Sequence, residues 1–119
     1  MANPLQQTAE ATTIHVKASP QKLNLVAQVI RGKSAAQAMN LLAFTNKKAA
    51  KEVLETVRSA IANAENNHNM DVDRLVVSQA YVGKTMKLKR FSARGRGRSA
   101  SIIKHFSRIT VILTEQEAA

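Results

Sequence analysis

Residues 83–108 form a basic segment in which nine side chains are Lys or Arg and none is Asp or Glu. The wider window 74–114 holds ten cations and still no acid, and the formal net charge of the whole chain is +10. The other Lys and Arg residues therefore balance the acids, and the excess charge is local. A segment of one sign within an otherwise neutral chain creates a directed field that attracts polyanions. The basic segment thus predicts a polyanionic partner.

The residues on both sides of the basic segment have strand patterns. Residues 75–82 are apolar and rich in β-branched side chains, and residues 108–113 place Ile109, Val111 and Leu113 on one face. Between them, the large apolar side chains are too few for a separate core. If the two halves of the basic segment pair as antiparallel strands, each half has about nine or ten residues and spans roughly 30 Å, which is about the diameter of a 100-residue domain. We therefore expect a projecting hairpin with the glycines of RGRGR, at 94–98, near its tip.

The two ends of the chain are polar. Residues 1–12 are expected to be a disordered tail, and residues 115–119 a C-terminal tail. Residues 13–17 alternate, with Ile14 and Val16 inward, which predicts a short strand at the edge of the sheet. Residues 13–114 are expected to form a single domain that carries the polyanion-binding segment, since the chain is short and contains no linker or repeat.

Three helices are predicted between the first and second strands. Ser19 caps a helix that begins at Pro20 and ends near residue 31. Ser34 and Gln37 form a capping box for a shorter helix, and Thr45 is expected to cap a long helix over 46–67. The positions expected on the apolar faces are Leu23, Val26, Ala27 and Ile30, then Ala38, Leu41 and Leu42, then Ala50, Val53, Leu54, Val57, Ala60, Ile61 and Ala64. The fold class is α+β: three helices packed on a small three-stranded antiparallel sheet with a long projecting basic β-hairpin.

The sequence gives no support to an enzyme, a cofactor or a metal site. Gly83-Lys84-Thr85 resembles the end of a phosphate-binding loop, but Ser78 stands where that loop requires glycine. The three histidines lack ligand spacing, and the chain has no cysteine. No apolar run approaches the roughly 20 residues of a membrane helix, so a soluble protein is expected.

RNA, DNA and an anionic membrane surface are the polyanionic partners open to such a segment, and the sequence disfavours the last two. An architectural DNA-binding protein with β-ribbon arms normally has a Pro or apolar wedge at the tip, and the prolines here are Pro4 and Pro20. A membrane-surface protein needs a basic amphipathic helix, whereas this segment has strand patterns and the chain lacks Trp. Arginine at the tip suits phosphate contacts and base stacking. Tyr81 and Phe91 are candidates either for stacking on bases or for packing against the sheet.

Three blocks of sequence in this order resemble one known family. They are SPQKLNLVAQVIRGK at 19–33, SAIANAENNHNMDVDRLVV at 59–77, and KRFSARGRGR followed by FSRITVIL at 89–98 and 106–113. Together they resemble the large-subunit ribosomal protein L twenty-two family over about 14–113. The resemblance implies a structural constituent of the cytoplasmic ribosome that binds ribosomal RNA and supports subunit assembly. It also implies that the hairpin lines the nascent-peptide exit tunnel near the macrolide site. Neighbouring ribosomal proteins and the nascent peptide would be further partners of a protein that is a monomer within the ribosome and contacts no membrane.

The resemblance also assigns RNA contacts. The residues that match the first helix and its Arg-Gly-Lys ending are Ser19, Lys22, Arg31 and Lys33, and those that match the hairpin are Lys89, Arg90, Arg94, Arg96 and Arg98. The remaining cations of the basic segment complete the predicted set: Lys84, Lys87, Lys104 and Arg108. The chain departs from the family at 84–87, where a common Gly-Pro is absent, and at Gly95, where alanine is usual. Both departures concern the local path and flexibility of the arm.

Overall fold

The computed structural model describes residues 8–93 and 99–115, with side chains described at 8–88 and 104–115. The elements in chain order are β1 (Thr8–Val16), α1 (Pro20–Ile30), α2 (Ala35–Phe44), α3 (Lys48–His68), β2 (Leu75–Ala93) and β3 (Ser99–Glu115). A single 3-10 turn, Val72–Arg74, precedes β2. The predicted α+β class, with three helices and a three-stranded antiparallel sheet, is confirmed.

The sheet has the order β1-β3-β2. β1 pairs with β3 only from Thr8↔Thr114 to Val16↔Ser107, whereas β2 pairs with β3 as far as Ala93↔Ser99. Residues 86–93 and 99–106 are therefore paired with each other beyond the end of β1, and they form a two-stranded ribbon. Its eight residue levels extend about 25 Å at the strand rise per residue. The predicted tip at 94–98 lies outside the described residues.

Extra residues interrupt the strand pairing at three places. β1 has one extra residue between Thr13 and Val16, and β2 has one at Ser78 and another at Thr85. In β1 the extra residue changes which side chains face the core, because side chains alternate strictly along a strand. Val16 is buried as predicted, but Ile14 is 60% exposed, so the prediction that Ile14 points inward is wrong.

The first strand begins earlier than the sequence predicted. Residues 8–12 pair with residues 110–114 of β3, and Ala9 is buried. The expectation of a disordered tail is therefore wrong for 8–12. Small alanines at the inward positions gave this strand little hydrophobic signal. Residues 1–7 and 116–119 lie outside the described part of the chain, and the domain boundaries stay a prediction.

The helices pack on one face of the sheet. The predicted apolar face of α1 is buried throughout, and both serine caps are present: Ser19 Oγ accepts from Lys22 N at 3.4 Å, and Ser34 Oγ accepts from Gln37 N at 3.2 Å. These side chains meet Val77, Ile109 and other inward residues of the strands in one core. Leu41 of α2, in contrast, is exposed.

The third helix differs from its prediction in two respects. It begins at Lys48 without a side-chain cap, and Thr45 instead ends α2, where its hydroxyl donates to the Leu41 carbonyl. Thr45 is therefore not the cap of α3. Its buried face also includes Thr56, which was not predicted, while the predicted Leu54 and Ile61 are only partly buried. A hydroxyl inside the core requires partners, and sequence periodicity does not reveal them.

Those partners connect α3 to β1. Thr56 Oγ1 donates to the Glu52 carbonyl at 2.9 Å. Because that bond uses the Thr56 proton, the hydroxyl of Thr13 donates to Thr56 Oγ1, at an O–O distance of 2.6 Å. The buried hydroxyl is thus satisfied within the helix and across to the sheet.

Candidate nucleic-acid interface

The described cations of the basic segment lie on both faces of β2 and β3 near the start of the ribbon. Lys84 lies opposite Ser107, and Lys87 opposite His105, on one face. Lys104 and Arg108 occupy the other face, because side chains alternate along β3. All four cations are exposed. This arrangement can contact phosphates on two sides at once.

The remaining predicted cations of the basic segment are only partly described. Lys89 and Arg90 are in β2, paired with Ile103 and Ile102, and their side chains are outside the described set. Arg94, Arg96 and Arg98 lie outside the described residues altogether. Their RNA contacts stay predictions.

The predicted residues around α1 lie near two separate parts of the sheet, one on β3 and one on β2. Ser107 Oγ donates to the Ala18 carbonyl at 2.8 Å, which places the start of α1 beside the base of the ribbon. At the other end, Gly32 N donates to the Val77 carbonyl at 2.9 Å. A helix of 11 residues is about 16 Å long. Ser19 and Lys22 therefore lie near the ribbon, whereas Arg31 and Lys33 lie one helix length away and do not join them in one cluster.

Arg31 has a structural role that the sequence did not show. Its Nε donates to the Ala80 carbonyl at 2.7 Å, and its Nη2 donates to Asn24 Oδ1 at 2.7 Å. Val77 N donates to the Lys33 carbonyl at 2.8 Å. The loop after α1 thus covers part of the outer edge of β2, which limits pairing with another strand. The only sequence signal was the spacing of Asn24 and Arg31, which brings them to the same side of the helix.

A groove lies along β2 beside Arg31. It has a volume of about 310 Å³ and is lined by Arg31, Ser78, Gln79, Ala80 and Tyr81. Tyr81 is 45% exposed, so its ring does not pack fully against the body. Tyr81 was predicted either to stack on bases or to pack against the sheet, whereas nothing in the local sequence indicated Gln79 or the groove. The extra residue at Ser78 sets the face of β2 on which Gln79 and Tyr81 lie.

An ion pair joins the two ends of the wider window 74–114, between Arg74 and Glu115, the residue after the window. Arg74 Nη1 lies 3.3 Å from Glu115 Oε1, and both side chains are about one-third exposed. Such a pair contributes little stability, but it balances one cation of the wider window. In the described part of the chain, no three His, Asp or Glu side chains gather as metal ligands, and no helix is both long and apolar enough to span a membrane.

Comparisons with known proteins identify the family of this chain. The family model described as "Ribosomal protein L22p/L17e" matches residues 11–114. The chain belongs to the ribosomal protein L22p/L17e family. A relative named "Large ribosomal subunit protein uL22" from Zymomonas mobilis is 55% identical over 114 residues, which cover 96% of this chain and 90% of the relative. Relatives of the same name from Maricaulis maris and Sphingopyxis alaskensis are 54% and 56% identical, over 93% and 86% of this chain and 88% and 81% of their own lengths.

Family membership confirms the resemblance found in the sequence, and the structure describes one of the two departures from it. Residues 84–87 include the extra residue Thr85, where β2 is locally displaced relative to β3. An extra residue bends a strand and increases its twist. The altered segment therefore lies at the junction between the body and the ribbon. Gly95 lies outside the described residues.

Proposed function

We propose that the protein is a structural, non-enzymatic component of the large ribosomal subunit that binds ribosomal RNA through its ribbon and the adjacent surface of α1. The observation that carries this proposal is the continued pairing of β2 and β3 beyond β1, in a segment with many cations and no acid. The relatives named as large-subunit proteins support the same assignment. The proposed place of action is the cytoplasmic ribosome.

The RNA contacts fall into two groups. The first group consists of cations of the basic segment that bind backbone phosphates: Lys84, Lys87, Lys89, Arg90, Arg94, Arg96, Arg98, Lys104 and Arg108. The second group lies around α1 and consists of Ser19, Lys22, Arg31 and Lys33. Ser19 accepts a hydrogen bond from Lys22 N, so its own hydroxyl proton is free to be donated to a phosphate. Arg31 lines its groove and uses two of its five N–H groups in the contacts described above.

We further propose that the ribbon lines the nascent-peptide exit tunnel near the macrolide site and that the body supports subunit assembly. This proposal rests on family membership together with the form of the ribbon. A two-stranded ribbon of about 25 Å can pass between RNA segments because it presents side chains on both faces. The nascent peptide and neighbouring ribosomal proteins are then its other partners, with the protein present as a monomer and making no membrane contact.

A salt titration with a ribosomal RNA fragment tests the RNA-binding proposal. If about six cations bind phosphates, log K falls with log salt at a slope of roughly −4 to −5. Changing Arg94, Arg96 and Arg98 together to Gln is expected to flatten the slope by about two to three units. The matched control changes Lys47, Lys48 and Lys51 to Gln at the start of α3 and is expected to leave the slope unchanged. Equal slopes for the wild type and both variants would place the RNA surface elsewhere.

A second experiment tests the ribosomal position. The arginine variant is supplied as the only copy of the protein, and subunits are separated on a gradient at low magnesium. We expect the variant to migrate with the large subunit and to alter macrolide inhibition or nascent-chain stalling. Normal assembly with unchanged drug response and stalling would contradict the tunnel proposal, while absence from the large subunit would contradict the assembly proposal.

A further inference from the structure

The sheet has an open face on the side opposite the helices. Tyr81 pairs with Thr110, which pairs with Thr12, and the two threonine hydroxyls lie 3.1 Å apart. The next level on this face contains Gly83 and Arg108. Tyr81 and Arg108 are thus diagonal neighbours on adjacent strands, close enough for long side chains to reach one another.

Gly83 determines where the Arg108 side chain lies. A Cβ atom at position 83 would lie 2.9 Å from Arg108 Nε and 3.4 Å from Nη2, which is closer than side-chain atoms normally approach. The guanidinium group therefore crosses the space that a side chain at 83 would fill. Because Arg108 is exposed, its N–H groups are accessible, and the register makes it the diagonal neighbour of Tyr81.

The groove described above lies on the other side of Tyr81. Arg31 and the exposed Gln79 line it, and the amide of Gln79 can both donate and accept hydrogen bonds. Tyr81 therefore lines a groove with Arg31 and Gln79 and is also the diagonal neighbour of Arg108. Aromatic rings stack on unpaired bases, and guanidinium groups bind phosphates.

The charge around Tyr81 also favours an anion. Among the described strand residues on the open face, only Glu10 is acidic, and it pairs with Ile112. Ile112 is four residues from Arg108 along β3, a distance of about 13 Å at the strand rise. Glu10 therefore does not neutralise the arginine directly.

We propose that the open sheet face at the base of the ribbon binds a single unpaired nucleotide of RNA. The base stacks on Tyr81, its edge meets Gln79, and Arg108 binds an adjacent phosphate from a position that Gly83 makes available. This proposal rests on the proposed RNA-binding function and adds a base-stacking site to its phosphate contacts. Single-stranded RNA is the class that fits, since duplex RNA does not expose the face of a base.

The composition of the chain provides a direct assay. Tyr81 is its only tyrosine and it has no tryptophan, so tyrosine fluorescence reports on this position alone. The full chain is titrated with a short oligoadenylate and, separately, with inorganic polyphosphate, which has no bases. We expect oligoadenylate to quench Tyr81 and polyphosphate to bind without comparable quenching. Binding of oligoadenylate without quenching, or equal quenching by both ligands, would overturn the proposal.

Substitutions at Tyr81 test the stacking contact. Tyr81→Ala is expected to weaken oligoadenylate binding about 5- to 150-fold, the range for loss of one base stack. Tyr81→Phe retains the stacking surface and is expected to bind like the wild type. Phe44→Ala, which removes an aromatic ring that is 88% exposed on α2, is the matched control and should not change affinity. Equal loss in Tyr81→Ala and Phe44→Ala would refute a specific site.

Substitutions at Gly83 and Arg108 test whether Gly83 positions the Arg108 side chain. The φ angle of Gly83 is outside the left-handed region, so Gly83→Ala is compatible with the backbone and acts by displacing Arg108. We expect Gly83→Ala to weaken binding in the wild type but to have no effect when combined with Arg108→Ala. An equal effect in both backgrounds would show that Gly83 does not act through Arg108. Arg58→Ala on α3 is the arginine control.

These experiments distinguish failure of the base-stacking site from failure of the proposed RNA-binding function. Salt-dependent binding of a ribosomal RNA fragment, with Tyr81 unquenched and Tyr81→Ala without effect, would refute the stacking site and leave the proposed function intact. Failure of the wild-type chain to bind any RNA would refute both.

Discussion

A shortened ribbon provides a quantitative test of the division between body and ribbon. Met86 and Phe106 are directly paired, so residues 87–105 can be replaced by Asn-Gly, a two-residue turn suited to joining paired strands. The replacement removes seven cations and no acid, which lowers the formal net charge from +10 to +3. No described side chain of the hydrophobic core lies in the removed segment.

We expect the shortened protein to fold and to bind RNA with a much weaker salt dependence. Its free energy of unfolding should change by less than about 2 kcal/mol, since loop-closure entropy depends only weakly on loop length. If about two-thirds of the nine cations contact phosphates, removing seven leaves one or two contacts, and the slope of log K against log salt falls to about −1.

Circular dichroism during thermal unfolding and a salt titration of RNA binding measure the two effects. The matched control keeps the ribbon at full length but changes the same seven cations to Gln. It should reproduce the weak salt dependence, because charge and not length determines the slope. Loss of a cooperative unfolding transition in the shortened protein would show that the ribbon belongs to the core. An unchanged slope would place the RNA surface on the body, for example along α1.

Four further substitutions, of which Lys51→Asp is a control, test the structure of the body, and each is measured by urea denaturation. Val57→Asp buries an unpaired charge in the core and should lower the free energy of unfolding by at least about 3 kcal/mol. Lys51→Asp, on the exposed face of α3, should change it by less than about 0.5 kcal/mol. Equal losses of stability in the two variants would refute the assigned helix faces. Ser107→Ala removes the buried hydroxyl that donates to the Ala18 carbonyl and should lower the free energy of unfolding by about 1–2 kcal/mol. An unchanged stability would show that this bond does not hold α1 to the ribbon base. Gly32→Ala should lower the free energy of unfolding by about 1–2 kcal/mol because φ at this position is +77°, although there is space for a methyl group. A stabilised variant would contradict that backbone conformation.

Local signals in the sequence predicted the helices of the body well. Ser19 and Ser34 cap α1 and α2 as expected, because a capping side chain bonds to a backbone group only three residues away. The inward faces of α1 and most of α3 also agree, since the helical repeat fixes which residues share a side. Leu41 is one exception, since it is exposed although predicted on the apolar face of α2. Thr45 is another, because a residue between two helices can end the first or begin the second, and its local sequence permits both.

The strands depended more on partners distant in sequence. The sequence identified the cores of β2 and β3 and their antiparallel relation, but the start of β1 at Thr8 and the exposure of Ile14 required the pairing with β3. A single extra residue reverses the inward and outward positions that follow it, and nothing in the local composition of β1 indicates where it is inserted.

For the candidate site as well, some features follow from the sequence and others only from the tertiary structure. By itself, the sequence determined the location of the excess charge, because charge depends only on composition along the chain, and it predicted a polyanionic partner from that charge. Only the tertiary structure brought Arg31 to the edge of β2 and placed Arg108 across Gly83 beside Tyr81. These residues are up to 77 positions apart, and strand register and helix packing, not local preference, determine which side chains meet.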